Sequence, residues 1–268
     1  MLSACTLLSR DGLGVSDVAC RHGRGRGRSE EVAGFHAVVF VRRGCFVRSV
    51  DGSQGLLDPT LAYCQNPGEE QRYDHPHDHG DDCTAVSLEP TLVAELWGGD
   101  PSLPAGPLPV PSTTELEHRL LLAEARRGGD PHELFERALE IGASTLERHD
   151  PRRVGSGRPS TERARRALVD GAREALAADP GRSLPELARS LAVSPHHLSR
   201  VFRSATGHTI ARHRMRLRAA AALERLTGGE RNLSRLAAEL GFADQSHLSR
   251  VLRGTTGATP AALRAALA

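Results

Sequence analysis

Residues 197–203 read His-Leu-Ser-Arg-Val-Phe-Arg, and residues 247–253 read His-Leu-Ser-Arg-Val-Leu-Arg. The two copies are 50 residues apart, and each continues to a glycine, Gly207 or Gly257. Each copy follows a short segment in which apolar residues recur every three or four positions, which is the spacing of one helix face. The repeat therefore predicts two units of the same kind, each with a short helix, a tight turn and a second helix.

The apolar positions agree with this interpretation in both units. The short helix of the first unit has Leu184, Leu187, Ala188 and Leu191, and that of the second unit has Leu233, Leu236, Ala237 and Leu240. The next helix is expected to begin after Ser194 in the first unit, because serine caps a helix N-terminus and Pro195 suits the first turn. In the second unit the turn falls at Gly241-Phe242 and Asp244 is the expected cap.

The second helix of each unit has a polar face that packing leaves free. Arginine can make a bidentate contact with guanine and glutamine with adenine, while serine and histidine contact bases or phosphates. A single exposed arginine on a helix is usually only a solvated surface residue, but the same arginine in two matched units favours contact with DNA. For His197 and His247, at the edge of the packed face, a packing or backbone-contact role is expected. The predicted DNA-binding residues are His196, Ser199, Arg200, Arg203, Gln245, Ser246, Ser249, Arg250 and Arg253.

Residues from about 160 to 268 resemble the DNA-binding domain of the AraC/XylS family of bacterial transcription regulators. The matching signatures are Ser194-Pro195-x-x-Leu198-Ser199-Arg200-x-Phe202, the Ala-Glu-Leu-Gly-Phe run ending at Phe242, Gln245-Ser246-x-Leu248-Ser249-Arg250, and Gly257-Ala258-Thr259-Pro260. The resemblance implies that a long helix, here about 208–226, joins the two units. It also implies that both units enter successive major-groove segments on one face of promoter DNA.

Charge is distributed unevenly along the chain. Residues 159–268 contain 18 arginines and 9 acidic residues, a net charge of +9, whereas residues 1–158 contain 17 arginines and 24 acidic residues, a net of −7. A basic region attracts the phosphate backbone in a salt-dependent way. The C-terminal half is therefore the expected DNA-binding half, and the acidic half is expected to have another role.

A length of 268 residues suits two domains. The expected division is an N-terminal arm over 1–32, partly flexible; a regulatory and dimerisation domain over 33–150; a linker over 151–162; and a DNA-binding domain over 163–268. The arginine–glycine segment 21–28 is interpreted as a mobile loop within the arm. No apolar run approaches the roughly 20 residues of a membrane span, and the N-terminus lacks a secretory pattern. A cytoplasmic protein is expected.

From Gly34 onward the pattern is that of short strands separated by Gly, Pro and Asp. Strands are predicted near 35–41, 45–50, 60–64 and 83–88, followed by helices near 114–127 and 131–149. This order predicts an α+β protein with an antiparallel sandwich or barrel. It also resembles the cupin-like regulatory domain found in many members of the same family. The resemblance implies a β-barrel that binds a small effector, and two helices, with Leu116, Leu120 and Ala123 on the first, that contact a second copy.

The stretch His75-Pro76-His77-Asp78-His79-Gly80-Asp81-Asp82-Cys83 contains side chains that can ligate a divalent ion. Metal-binding cupins take further ligands from a separate strand, and no second histidine motif follows Cys83. The prediction is therefore no metal, no cofactor and no catalytic residue. The alternative is a metal-dependent cupin enzyme, using His75, His77 and His79, fused to a DNA-binding domain.

All five cysteines, Cys5, Cys20, Cys45, Cys64 and Cys83, lie within the first 83 residues, without close metal-ligand spacing. Cys45 and Cys83 are predicted to be small buried strand residues. Cys64 is predicted to be more accessible and is the candidate for a thiol that senses a signal.

Together these features predict a sequence-specific transcription regulator. The expected partners are double-stranded promoter DNA and a second copy of the chain, with a small-molecule effector and RNA polymerase as further candidates and no membrane. A pure dimerisation role for the N-terminal domain, without any ligand, is a further alternative.

Overall fold

The computed structural model describes residues 2–21, 29–78, 80–96, 102–148 and 159–267. The described strands are β1 (Leu2–Arg10), β2 (Leu13–Cys20), β3 (Ser29–Val32), β4 (His36–Arg43), β5 (Phe46–Val50), β6 (Ser53–Leu57), β7 (Leu61–Gln65), β8 (Glu70–Asp74), β9 (Asp81–Leu88) and β10 (Pro107–Pro109). The helices are α1 (Pro90–Leu96), α2 (Ser112–Arg126), α3 (Pro131–Glu147), α4 (Pro159–Ala178), α5 (Leu184–Ser190), α6 (Pro195–Thr206), α7 (Ile210–Thr227), α8 (Leu233–Glu239), α9 (Gln245–Thr256) and α10 (Pro260–Leu267). We call residues 2–148 the sheet region and residues 159–267 the helical region.

The strands form two antiparallel sheets. The larger sheet has the order β1-β2-β9-β4-β7-β10, and the smaller has the order β3-β8-β5-β6. This arrangement confirms the predicted α+β class. Within the described residues the strands do not pair into one closed ring, so the predicted barrel takes the form of two facing sheets.

The N-terminal residues are not an arm. β1 and β2 pair with each other, and β2 pairs along its whole length with β9, from Leu13 opposite Leu88 to Cys20 opposite Asp81. Leu13 and Val15 are buried on the sheet because this strand alternates apolar side chains toward the core. The predicted mobile loop lies, apart from Arg21, outside the described residues.

The alternation of side chains gives the large sheet two apolar faces. One face, with Val38, Phe40 and Val86, packs against α2 and α3 through Leu121 and Ile141. The opposite face contributes a second cluster, in which Val39, Val41 and Ala85 contact the small sheet through Phe46. The sheet region is therefore layered, with helices outside one sheet and the second sheet on its other side.

The helical region has two separate cores, one for each unit. The first includes Val169, Leu187 and Phe202, and the second includes Leu236, Phe242 and Leu252.

The helix that joins the units is α7, Ile210–Thr227, close to the predicted 208–226. At the other end, α4 begins at Pro159, within the predicted linker, because proline suits a first helical turn. Residues 151–158 of that linker lie outside the described residues.

The two regions contact each other through buried side chains. Leu116 of α2 joins the core of the second unit, and Leu120 packs beside it. Arg119 of α2 donates to Glu224 of α7 and to the carbonyl oxygen of Arg42, both at 2.6 Å. The apolar face of α2 that was expected to contact a second copy thus packs, in part, against the helical region of the same chain.

Candidate nucleic-acid interface

The first unit is held by buried leucines and by two capped helices. Ser183 and Glu186 form a reciprocal capping box at the start of α5. Ser194 caps α6 by accepting a hydrogen bond from the amide of His197 at 3.2 Å. Leu198 and Phe202 of α6 are fully buried against α5 and α4. One face of α6 is therefore fixed inside the unit and the opposite face is left outside.

The second unit follows the same plan with different caps. Asn232 caps α8, and Asp244 caps α9 by accepting from the amide of His247 at 2.7 Å. Leu248 and Leu252 occupy the places of Leu198 and Phe202 and are equally buried. Both second helices end at a glycine with positive φ, Gly207 at +76° and Gly257 at +74°. The two units therefore present matched helices.

The predicted DNA-contact residues lie on the outward faces of α6 and α9. Ser199 and Ser249 are half-buried at equivalent positions, and the remaining seven are exposed: His196, Arg200, Arg203, Gln245, Ser246, Arg250 and Arg253. Gln245 is partly held, since its Oε1 accepts a hydrogen bond from Ser234 Oγ at 2.9 Å. The outward face of each helix is therefore exposed to solvent.

The arginines on these faces differ from those elsewhere in the helical region. Nearby Arg225 and Arg235 are each paired with Glu230 at 3.0 and 2.6 Å. Over the described ranges of the chain, Arg200, Arg203, Arg250 and Arg253 form no ion pair. Unpaired guanidinium groups on one outward face are the chemistry that binds phosphates and guanine edges.

The two histidines of the repeat differ in their surroundings. The Nδ1 atom of His247 lies 3.3 Å from the amide nitrogen of Ala243, and its ring meets Phe242 edge-on at 5.5 Å. His247 thus has the backbone-contact role that was predicted. His197 is exposed.

Two arginines of α7 have a structural role that the sequence did not indicate. Arg218 donates to the carbonyl oxygen of Gly241, in the turn of the second unit, at 2.6 Å and to that of Pro180, ahead of the first unit, at 3.2 Å. Arg214 donates to the carbonyl oxygen of Arg182 at 2.5 Å. These bonds connect the joining helix to both units and limit their relative movement. Their partners are backbone carbonyls, which no side-chain motif reveals.

Residues 187–266, which begin within α5 and end within α10, match a protein-family model described as "Helix-turn-helix domain". Residues 187–266 form an AraC-type helix-turn-helix domain. The match includes α6 and α9, the second helix of each unit, and confirms the resemblance based on the repeat. A search of curated protein sequences returned no match for this chain.

Two solved structures also share similarity with this chain. ToxT from Vibrio cholerae O395 shares 10% identity over 99% of this chain and 98% of that chain, with a TM-score of 0.37. A cupin domain of an XRE family transcriptional regulator from Enterobacter cloacae shares 17% identity over 33% of this chain and 97% of that chain, with a TM-score of 0.29. Since both TM-scores are below 0.5, the assignment of the AraC-type domain depends on the family match and the motifs.

The two described histidines of the histidine-rich stretch contact different parts of the protein. His77 Nε2 lies 3.3 Å from the carbonyl oxygen of Glu174 in α4, while His75 is buried beside Asp81. His79 lies outside the described residues. His75 and His77, the two of these histidines that the structure describes, therefore have different partners.

The thiol expected to be accessible is buried. Cys64 is 1% exposed in β7, and burial raises the pKa of its thiol. Cys45 and Cys83 are buried as predicted, and burial together with the charge of Asp58 raises the pKa of Cys45 to about 12. Because oxidation proceeds through the thiolate, these three cysteines are poor candidates for a redox sensor.

Of the helices in the described part of the chain, none combines the length and the apolar character needed to cross a membrane.

Proposed function

We propose that this protein is a sequence-specific DNA-binding transcription regulator of the AraC type, and that α6 and α9 enter successive segments of the major groove. The observation that carries the proposal is the matched pair of outward faces, with arginines at 200 and 203 and again at 250 and 253. The buried core of each unit and the carbonyl bonds of Arg218 support it, because they hold both faces in one arrangement relative to α7.

The residues on each face are assigned roles by their chemistry. Arg200 and Arg250 contact guanine edges, and Gln245 contacts adenine. Arg203 and Arg253, one turn further along each helix, contact phosphates together with Ser199, Ser249, His196 and Ser246. The net charge of +9 in residues 159–268 supplies the long-range attraction to the duplex.

The sheet region is proposed to regulate the AraC-type domain. A cleft of about 440 Å³ lies between the start of α2 and the ends of α6 and α9, and its lining includes Ser112, His208, Arg212 and Arg216. Its volume is within the range of small-molecule sites. A small effector in this cleft would contact both regions and bias how α7 holds the two units. A contact with a second copy is proposed for the outward face of α3, since α2 is covered in part by the helical region.

The test is a genome-wide DNA pull-down with the purified full-length protein, comparing wild type with the Arg200→Ala/Arg250→Ala double variant. We expect discrete enriched sites containing two half-motifs about one helical turn apart, and loss of that enrichment in the double variant. A matched control is Arg148→Ala/Arg231→Ala, which removes the same charge from exposed positions outside the two faces. This control should keep the enriched motifs.

Diffuse, salt-sensitive binding that the Arg200→Ala/Arg250→Ala variant retains would contradict the proposal. It would mean that backbone attraction accounts for all the binding and that the two helices do not read sequence. Light scattering of the same samples measures whether a dimer forms.

A further inference from the structure

Three buried side chains with metal-ligating atoms meet at one end of the space between the two sheets. Cys20 ends β2 and Asp81 begins β9, and they are opposite each other in the strand pairing. His75 follows β8 of the small sheet. The ligand atoms of the three residues lie within 4.8 Å of one another, and each residue is only 6% exposed. Residues from both sheets thus converge on one point.

The surrounding backbone is packed tightly enough to hold these three side chains in place. A Cβ atom at Gly80, whose φ is +61°, would lie 2.0 Å from the carbonyl oxygen of Cys20. A Cβ atom at Gly44 would lie 2.2 Å from the carbonyl oxygen of Gly80. Only glycine permits the loop before β9 to approach β2 this closely. The approach brings His75 and Asp81 to the end of β2.

Asp81 is arranged differently from its neighbour Asp82. Asp82 pairs with Arg21 at 2.5 Å and with Arg43 at 2.6 Å. Asp81 faces inward, with Oδ1 2.5 Å from His75 Nε2 and Oδ2 accepting a hydrogen bond from Cys83 Sγ at 3.4 Å. Of these two equally buried carboxylates, Asp81 contacts an imidazole and a thiol, and Asp82 contacts arginines.

We propose that Cys20, His75 and Asp81 bind a divalent cation of the Zn²⁺ class. Thiolate, imidazole and carboxylate are the donors that zinc prefers, and three protein ligands leave a fourth position for water or another ligand. A thiolate and a carboxylate also balance the two charges of the ion, so the occupied site is neutral and can stay buried. Calcium and magnesium are not expected, because they require more oxygen ligands. Of the two histidines in this stretch that the structure describes, His75 belongs to this site and His77 lies against the carbonyl oxygen of Glu174.

The experiment uses the full-length protein, purified without metal and titrated with Zn²⁺ against a chromophoric chelator and, separately, with Co²⁺. We expect one ion per chain, a tetrahedral Co²⁺ spectrum with a sulfur-to-cobalt charge-transfer band, and a higher Tm with Zn²⁺. Cys20→Ser should remove the charge-transfer band, and Asp81→Asn and His75→Gln should each weaken binding at least about tenfold. Cys5→Ser, at the exposed cysteine, and His77→Gln are the matched controls and should bind as wild type does.

Absence of stoichiometric binding would overturn the proposal, and so would a charge-transfer band that survives in Cys20→Ser or disappears in Cys5→Ser. The metal-free Tm of each variant separates lost binding from lost folding. If Cys20→Ser does not fold, the Cys5→Ser protein provides the test. Loss of the sulfur-to-cobalt charge-transfer band in Cys5→Ser would mean that Cys20 does not supply a thiolate ligand, and the proposal would fail. None of these measurements involves DNA, so the result is independent of the proposed regulator function.

Discussion

At the scale of single residues, the role of an arginine in the helical region depends on whether a carboxylate is within reach. Arg225 forms ion pairs with Glu230 and with Glu239, the latter at 2.9 Å, so its charge is balanced by carboxylates of the same protein. Arg200 and Arg250 extend from helix faces without such a partner among the described residues. The same residue type therefore stabilises the second unit in one place and is available to DNA in another.

Arg200→Ala and Arg250→Ala should each relax base preference in only one half-motif. Loss of a bidentate arginine–guanine contact should cost about 1–3 kcal/mol of discrimination at that base pair. Competition binding with sites mutated in one half at a time measures this, and Arg231→Ala is the control outside the faces. If each variant weakens binding equally to all sequences and lowers the salt dependence, the arginines contact phosphates instead.

Glu115 is a buried acid whose protonation should affect stability near neutral pH. Burial raises its pKa to about 7, although Arg119 and Arg216 oppose the shift. Between pH 4.5 and 7 the folded protein therefore binds more protons than the unfolded chain, and stability falls as pH rises through this window. Glutamine does not ionise, so Glu115→Gln does not lose stability in this way. Its free energy of unfolding relative to wild type should therefore rise by about 2–3 kcal/mol between pH 5 and pH 8.

Urea unfolding of both proteins at pH 5 and pH 8 measures the difference. Glu117→Gln, exposed on the same helix, is the control and should show no such change with pH. A constant difference between Glu115→Gln and wild type at both pH values would show that Glu115 has an ordinary pKa.

At the scale of elements, the turns of the two units require the same backbone conformation but contain different residues. Ala192 has φ of +54° in the first turn, and Gly241 has φ of +72° in the second. Val193 and Phe242, the residues that follow, make equivalent backbone bonds to Ala188 and Ala237. The left-handed conformation suits glycine and strains alanine. The first unit therefore retains strain that the second avoids.

Ala192→Gly should stabilise the protein by up to about 1 kcal/mol, because relief of strain exceeds the entropy that glycine loses on folding. Gly241→Ala is the reciprocal variant and should destabilise, since it adds strain and places a Cβ atom 2.9 Å from Arg218 Nη2. Thermal unfolding of both variants gives the two signs. A loss of stability in Ala192→Gly would show that this turn carries no strain.

At the scale of the whole molecule, a buried charge connects the sheet region to the helical region. Asp58 is fully buried and accepts from the amide and hydroxyl of Thr60 at 2.8 and 2.6 Å. Arg173 of α4 and His213 of α7 each lie 3.4 Å from its Oδ2. Burial alone would raise the pKa of Asp58, but Arg173 and His213 hold it well below its ordinary value. The charge on Asp58 is thus matched to groups on two helices of the other region.

Asp58→Asn should destabilise the protein by about 3–5 kcal/mol at pH 7, because the Arg173 guanidinium would be left buried without its counter-ion. Replacing Arg173 by methionine in the same variant should recover part of the loss, since it removes one uncompensated charge. Chemical denaturation measures both effects, and Asp11→Asn, in an exposed ion pair with Arg10, is the control. If Asp58→Asn unfolds at the same denaturant concentration as wild type, the network does not hold the regions together.

Local sequence by itself determined the two helix-turn-helix units of the helical region. The spacing of Leu184 to Leu191, the caps Ser194 and Asp244 and the repeat of 197–203 at 247–253 predicted both units, because helix faces and caps depend on residues within one or two turns. The outward positions of Arg200 and Arg250 follow from the same periodicity. In the sheet region, local pattern predicted β4, β5, β7 and β9 but not the pairing of β2 with β9.

Only the tertiary structure decided which distant residues meet. Cys20 and Asp81 are neighbours because β2 pairs antiparallel with β9, and Asp58 meets His213 because the sheet region packs on α7. It also buried Cys64 and placed Leu116 of α2 in the core of the second unit. These contacts are set by the packing of whole elements separated by tens of residues, and no periodicity within a single element encodes them.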